Sequence, residues 1–142
     1  MKYASFLIVP GIIFLSCSDG PSRQDALTTG TWILSGYLFD INNDGVYEED
    51  AYASLETCIK DNIYTFLSDG NLIVDEGPSV CNTADPHTVT SSWSFSDDQT
   101  HLQFEGEDYE IEELGASTLR LRSIVFNHGI FPMKIEKTFT KQ

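Results

Sequence analysis

The residues best placed to do chemistry are the acidic ones between Asp40 and Asp50. The segment reads D-I-N-N-D-G-V-Y-E-E-D, with oxygen-bearing side chains at the first, third and fifth positions and glycine at the sixth. Calcium loops use this spacing because Ca²⁺ takes six to eight oxygen ligands and the chain must turn sharply among them. The candidate ligands are Asp40, Asn42, Asp44, the Val46 carbonyl, Glu48 and Asp50.

The second half of this loop departs from that spacing. A bidentate acid is expected at position 12, which holds Ala51, so Asp50 at position 11 would have to replace it. Asn-Asp-Gly is also a good turn sequence by itself, because these residues tolerate left-handed backbone conformations. Two interpretations therefore stay open: a weak structural calcium site, or a plain acidic turn.

The first cysteine lies at the end of an apolar N-terminal segment. Met1-Lys2 and the apolar run over residues 3–15 are typical of a secretory signal peptide, since a spanning helix needs about 20 apolar residues. Phe14-Leu15-Ser16-Cys17 resembles a bacterial lipobox. That resemblance implies cleavage before Cys17 and attachment of fatty acyl chains such as palmitate to it. The alternative is an ordinary secreted protein that is cut nearby.

The other two cysteines, Cys58 and Cys81, are 23 residues apart. If Cys17 carries lipid, they form an even pair in an exported protein, where oxidising conditions favour a disulfide between them. Two free thiols are the alternative. A metal site is less well supported than either, because neither cysteine has a CxxC or HxxxH partner.

Composition excludes several classes of function. There are 8 Lys+Arg against 22 Asp+Glu, for a formal charge of −14, and such a surface repels nucleic-acid phosphates. The sequence has no G-x-S-x-G, H-E-x-x-H or phosphate-loop motif, and its three histidines are scattered. We therefore predict a protein that is not an enzyme and does not bind nucleic acid.

The elements that must position these residues are strands. Several windows alternate apolar and polar residues with a period of two, as half-buried strands do. The clearest pairs on one face are Trp93 and Phe95, Leu102 and Phe104, Tyr109 and Ile111, and Leu119 and Leu121. The pattern predicts an all-β domain of about eight antiparallel strands, either an up-and-down barrel or a sandwich.

The order of several motifs resembles the lipocalin-like lipoproteins of Bacteroidetes, within the calycin family. Gly30-Thr31-Trp32 is similar to the G-x-W motif that opens the first lipocalin strand, and the further matching segments are 58–62, 76–81, 92–95 and 118–121. The resemblance covers most of residues 30–142 and implies an antiparallel up-and-down β-barrel of eight strands. In such a barrel Trp32 would plug the closed end, since its ring buries a large apolar area.

Three parts are expected along the chain: a signal peptide at 1–16, a lipidated N-terminus and flexible tether at 17–29, and a barrel at 30–142. We expect a monomer, anchored in the cell envelope through lipid on Cys17. We expect the anchor to lie in the outer membrane, with the domain on its periplasmic or surface face.

Two functions from different classes remain open. One is a carrier that binds a small hydrophobic ligand in a cavity, whose candidate lining is Trp93, Phe95, Leu102, Phe104 and Tyr109. The other is a barrel filled by its own side chains, which would act as an envelope inhibitor or accessory protein through its surface.

Overall fold

The structure, a computed structural model, describes residues 21–127 and 131–142 of the chain. The predicted signal peptide and Cys17 lie outside the described residues. The elements in order are α1 (Arg23–Thr28), β1 (Trp32–Asp40), β2 (Glu49–Asp50), α2 (Ala51–Ser54), α3 (Thr57–Lys60), β3 (Ile63–Phe66), β4 (Asn71–Asp75), β5 (Thr88–Phe95), β6 (His101–Phe104), β7 (Glu107–Leu114), β8 (Thr118–Asn127) and β9 (Phe131–Lys141). No helix in the described ranges has the length and apolar character needed to cross a membrane.

Eight of the strands close into one antiparallel barrel. From β3 to β9 each strand pairs with its neighbours in the chain, and β1 pairs with both β3 and β9, which closes the sheet. The two-residue β2 adds to the far end of β1 and lies outside this ring. The prediction of an up-and-down barrel of about eight antiparallel strands is confirmed, and the sandwich alternative is excluded.

Side-chain alternation places the core inside the barrel. On β8, Leu119 and Leu121 are fully buried, whereas the intervening Arg120 reaches outward to Glu113 at 3.0 Å. The ladder pairs Leu119 with Phe139, so apolar residues of neighbouring strands meet in the interior. The described core cluster comprises Leu27, Trp32, Leu34, Tyr64, Phe66, Leu72, Trp93, Leu102, Phe104, Tyr109, Leu119, Leu121, Ile135 and Phe139.

Helix α1 covers the end of the barrel at which β1 begins, which we call the closed end. Ser22 and Asp25 form a capping box that starts the helix, and Leu27 is fully buried against the core. Trp32 donates its indole N–H to the Leu27 carbonyl at 2.8 Å, and Lys141 donates to the Ala26 carbonyl at 2.7 Å. The prediction of a flexible tether over 17–29 is therefore wrong for residues 22–29, because the cap and the buried Leu27 hold this segment on the barrel.

The opposite, open end is braced by a disulfide. Cys58 in α3 is bonded to Cys81 in the β4–β5 connection, with a Cα–Cα distance of 5.2 Å, which confirms the predicted pairing. Close by, the Asp61 carboxylate accepts a hydrogen bond from the Ser79 N–H at 3.1 Å. Gly77 has φ +69° and its Cα faces the Asp61 carbonyl so closely that no side chain would fit. The two connections at this end are thus fixed to each other.

Candidate functional site

The interior of the barrel differs between its two ends. Near the closed end most inward side chains are buried, as in Trp32, Phe66 and Leu72, although Phe95 and Leu114 are half-buried. Towards the open end the inward side chains keep contact with solvent although they point away from the outer surface. We call this group the open-end interior; its members are Tyr37, Phe39, Val74, Val125, Met133 and Lys137, all of them half-buried.

Four of the five predicted cavity residues lie outside the open-end interior, and the fifth, Tyr109, adjoins it through its hydroxyl group. Trp93, Leu102, Phe104 and Tyr109 are buried members of the core cluster, and Phe95 packs against it. Edge-to-face and tilted ring contacts join them, with centroid distances of 5.3 Å for Trp93–Phe95 and 4.9 Å for Phe104–Tyr109. The Trp93 indole N–H is held by the Leu67 carbonyl at 2.9 Å. These five side chains thus fill space, and their ligand-binding role stays a prediction.

Lys137 is the charged member of the open-end interior. It lies on β9 between the inward-facing Ile135 and Phe139, and the ladder pairs it with Tyr37 of β1. Its Nζ donates to the Tyr109 hydroxyl at 2.9 Å and lies 5.1 Å from the Tyr109 ring centre. The Tyr37 ring centre is 5.7 Å away. An ammonium group therefore sits at the floor of the accessible interior, between two aromatic faces.

Both phenols beside Lys137 are neutral at ordinary pH. Burial raises the pKa of Tyr37 above its usual value, and the attraction of Lys137 only partly opposes this. Burial also raises the pKa of Tyr109 strongly, with Glu105 and Glu107 adding to the effect. The positive charge of Lys137 is therefore not balanced by a phenolate.

The sequence analysis did not identify Tyr37, Val125, Met133 or Lys137 as site residues. The signal was present on β9, where Met133, Ile135, Lys137 and Phe139 follow one another at every second position. The three apolar residues of that series show which face of β9 points inward. Lys137 lies on the same face and is charged.

A side cleft of about 560 Å³ opens where β7 and β8 separate. Their pairing ends at Glu110 and Arg122, although both strands continue beyond it. The cleft is lined by Gly45, Tyr47, His101, Glu107, Asp108, Glu110, Arg122, Ser123, Ile124 and Lys134. The Arg122 guanidinium bonds Glu112 at 2.8 Å and Glu136 at 3.1 Å. The lining of the side cleft is thus largely charged, and ion pairs across strands partly neutralise that charge.

The predicted calcium loop forms a compact acidic turn at the open end. Carboxylate oxygens of Asp40, Asp44 and Glu48 lie within 4.8 Å of one another. Asp40 is fully buried and accepts hydrogen bonds from the N–H groups of Asp44 and Gly45, at 3.0 and 2.8 Å. Asp44 in turn accepts from the Val46 N–H at 2.9 Å. Three of the predicted ligands therefore converge, with backbone donors already bound to their oxygens.

Of the other predicted ligands, Asp50 lies outside this cluster, whereas the Asn42 amide donates to the Asp44 carboxylate at 3.1 Å. Asp50 accepts from the Ala53 N–H at 3.2 Å and caps α2, while Asn42 accepts from the Asp44 N–H at 3.0 Å. The Glu48 carboxylate accepts from the Ile41 N–H at 3.0 Å. These bonds account for the turn itself. Calcium binding at this loop stays a prediction.

The chain matches no protein-family model and no curated protein. Among solved structures, it is similar to bovine odorant-binding protein in complex with a selenium-containing odorant, with 16% identity, a TM-score of 0.44, and coverage of 87% of this chain and 75% of that chain. It is also similar to the complex of bovine odorant-binding protein with undecanal, with 19% identity, a TM-score of 0.42, and coverage of 80% and 70%. The closed ring of eight antiparallel strands in chain order is the up-and-down barrel that the resemblance to lipocalin-like proteins implies.

Proposed function

We propose that this protein is a non-catalytic binder of a small hydrophobic molecule, which it holds in the open-end interior. A single observation carries the proposal: towards the open end five inward side chains with large apolar surfaces, Tyr37, Phe39, Val74, Val125 and Met133, all keep contact with solvent. Burying apolar surface that water still reaches is favourable by roughly 25 cal/mol per Å², so this surface is a binding opportunity for an apolar molecule.

The neighbouring groups fit binding better than catalysis. Among the described residues, the ionisable groups at the open-end interior are Lys137 and the phenols of Tyr37 and Tyr109, and burial raises the pKa of both phenols, so they stay neutral. A general base or an activated nucleophile would need a group whose pKa is brought towards neutrality, whereas burial moves the pKa of both phenols further from it. The open-end interior therefore supports recognition of a molecule and no covalent chemistry.

The test uses two adjacent residues of β8 that point in opposite directions. Val125 is half-buried and faces the interior opposite Met133, whereas Ile124 is 53% exposed on the outside. We expect the uncharged dye N-phenyl-1-naphthylamine to bind with enhanced fluorescence. Val125→Glu should weaken binding about tenfold or more, because it puts a carboxylate in the apolar path. Ile124→Glu, the matched control, should leave the affinity unchanged.

The protein for this assay can start at Ser18, because every described core side chain lies between Leu27 and Phe139. Circular dichroism and thermal melting establish that both variants fold. Absence of dye binding to the unchanged chain would contradict the proposal, as would equal loss in the two variants. Either result would favour the filled barrel that acts through its surface, for which the side cleft is the candidate contact region.

We further propose that the protein is a lipid-anchored lipoprotein of the cell envelope, modified at Cys17. The lipobox-like sequence supports this proposal. The position of α1 then determines which end of the barrel would lie near the membrane. Because residues 22–29 are held on the closed end, only residues 17–21 would separate the lipid from this segment, and five residues reach at most about 18 Å. The closed end would lie near the membrane and the open end would face away from it.

The anchor is tested on the full chain in a bacterial host that modifies lipoproteins. We expect the unchanged chain to incorporate an alkyne-labelled fatty acid and to sediment with membranes. Cys17→Ser should abolish the label and release the protein, whereas the cysteines of the disulfide cannot substitute for it. An unlabelled protein that remains soluble with Cys17 present would overturn the proposed anchor and leave the binding proposal standing.

A further inference from the structure

We infer that Lys137 makes the open-end interior selective for molecules that carry a carboxylate at the end of an apolar chain. The inference rests on the proposed function, because it concerns the same interior, and it names the class of ligand. Its starting point is the surroundings of this inward ammonium: two neutral phenols flank it, and among the described residues no carboxylate oxygen lies within 4.0 Å of it. Glu107 on β7, which pairs with the inward Phe104, is close enough to raise the pKa of both phenols.

Lys137 differs from the other described cations in its inward position, since Arg23, Lys60, Lys134 and Lys141 also lack a carboxylate oxygen within 4.0 Å among the described residues. Arg120 and Arg122 each lie within 4.0 Å of a carboxylate on the outer surface. Across residues 21–127 and 131–142, Lys137 has no carboxylate oxygen at that distance. Its polar partner is the Tyr109 hydroxyl, and a neutral phenol satisfies one of its three N–H donors without balancing its charge. A half-buried ammonium so placed favours an incoming anion.

Tyr109 adds a second donor at the same place. Its hydroxyl accepts the Lys137 N–H at 2.9 Å, so its own hydrogen remains available. The phenol keeps that hydrogen because burial raises its pKa. A carboxylate beside Lys137 could accept one hydrogen bond from the ammonium and one from Tyr109. Charge-assisted bonds of this kind are roughly twice as strong as neutral ones.

The surrounding residues set the direction of the apolar chain. Below Lys137 the barrel is closed by Phe104 and Phe139, which are 2% and 1% exposed. Above it on β9 lie Ile135, which is 3% exposed, and then Met133, which is four residues before Lys137 in the chain and about 13 Å away at the usual strand rise, with Val125 opposite. The carboxylate would therefore lie at the floor of the open-end interior, and the chain would extend along apolar side chains towards the mouth.

The test compares decanoate with 1-decanol, which share a chain length and differ in charge at pH 7.5. Both are measured by displacement of the uncharged dye. We expect the unchanged protein to bind decanoate about tenfold more tightly than 1-decanol. Lys137→Met should lower the affinity for decanoate about tenfold or more and change the affinity for 1-decanol less than about threefold. Lys137→Arg, which keeps the charge, should retain the preference.

Lys134→Met is the matched control, because Lys134 lies on the same strand with its side chain in the side cleft. It removes one positive charge from the same strand and should leave both affinities unchanged. If Lys137→Met lowers the affinities for decanoate and 1-decanol equally, Lys137 has a purely structural role and the inference is overturned. If Lys134→Met lowers the affinity for decanoate as much as Lys137→Met does, the effect belongs to net charge and the inference is overturned as well. Absence of binding by the dye and both probes would instead overturn the proposed function, and the inference with it.

Discussion

Trp32→Ala is expected to lower the free energy of unfolding by about 4 kcal/mol, within the range for large aromatic side chains removed from cores. Trp32 is completely buried, and its indole N–H holds the Leu27 carbonyl of α1 at 2.8 Å. The Lys141 ammonium lies 4.6 Å from the centre of its ring. The substitution therefore leaves a cavity in the closed end and releases the helix that covers it. Urea denaturation, followed by circular dichroism, measures the change.

Trp32→Phe separates the two contributions. It keeps an aromatic ring in the core and loses the hydrogen bond to Leu27, so we expect a loss of about 2 kcal/mol. Hydrogen exchange should show faster exchange of the α1 amides in both variants, because the indole contact to the helix is absent from each. A loss below about 1 kcal/mol for Trp32→Ala would contradict the assignment of Trp32 as the plug of the closed end.

Much of the barrel could be predicted from the sequence because its strands alternate cleanly. In β6 to β8 the inward residues Leu102, Phe104, Tyr109 and Leu121 are apolar and their neighbours are polar, so the period of two identifies the strands. The short helices could not be predicted in the same way. α2 and α3 have four residues each, too few for a helical period to appear.

Helix α1 shows a different limit. Its segment is polar and follows Gly20-Pro21, which favours a linker, yet Ser22 and Asp25 at the spacing of a capping box are a helix signal. The decisive interactions are the burial of Leu27 in the core and the hydrogen bond from the Trp32 indole to the Leu27 carbonyl, which joins residues of different elements. A local pattern could indicate the helix, but only the closed barrel shows where it packs.

The candidate site was less predictable than the fold. The alternation of polar and apolar residues shows which side chains point into the barrel, but it does not show how completely they fill the interior. Trp93, Phe104 and Tyr109 point inward as large apolar residues should, but they are also the residues that pack the interior most completely. The accessible part is lined by residues such as Val125 and Met133, whose strands extend beyond their neighbours. Which inward residues stay accessible depends on strand lengths and loops around the whole barrel.

Removing the disulfide with Cys58→Ser and Cys81→Ser together is expected to lower the free energy of unfolding by about 3 kcal/mol. The bond closes a loop between residues 23 apart, and the cost of that closure in the unfolded chain sets the magnitude in the chain-entropy model. Urea denaturation of the oxidised protein and the double variant measures the difference.

Reduction supplies the control for this prediction. Dithiothreitol should destabilise the unchanged protein by a similar amount and leave the double variant unaffected. Hydrogen exchange should increase around α3 and residues 76–81, which the bond joins, and remain slow at the closed end, where Trp32 and Leu27 are untouched. Uniformly faster exchange would contradict a local brace. Because these two connections stand at the open end, the double variant should also bind the uncharged dye more weakly than the unchanged protein, which would link the disulfide to the shape of the binding interior.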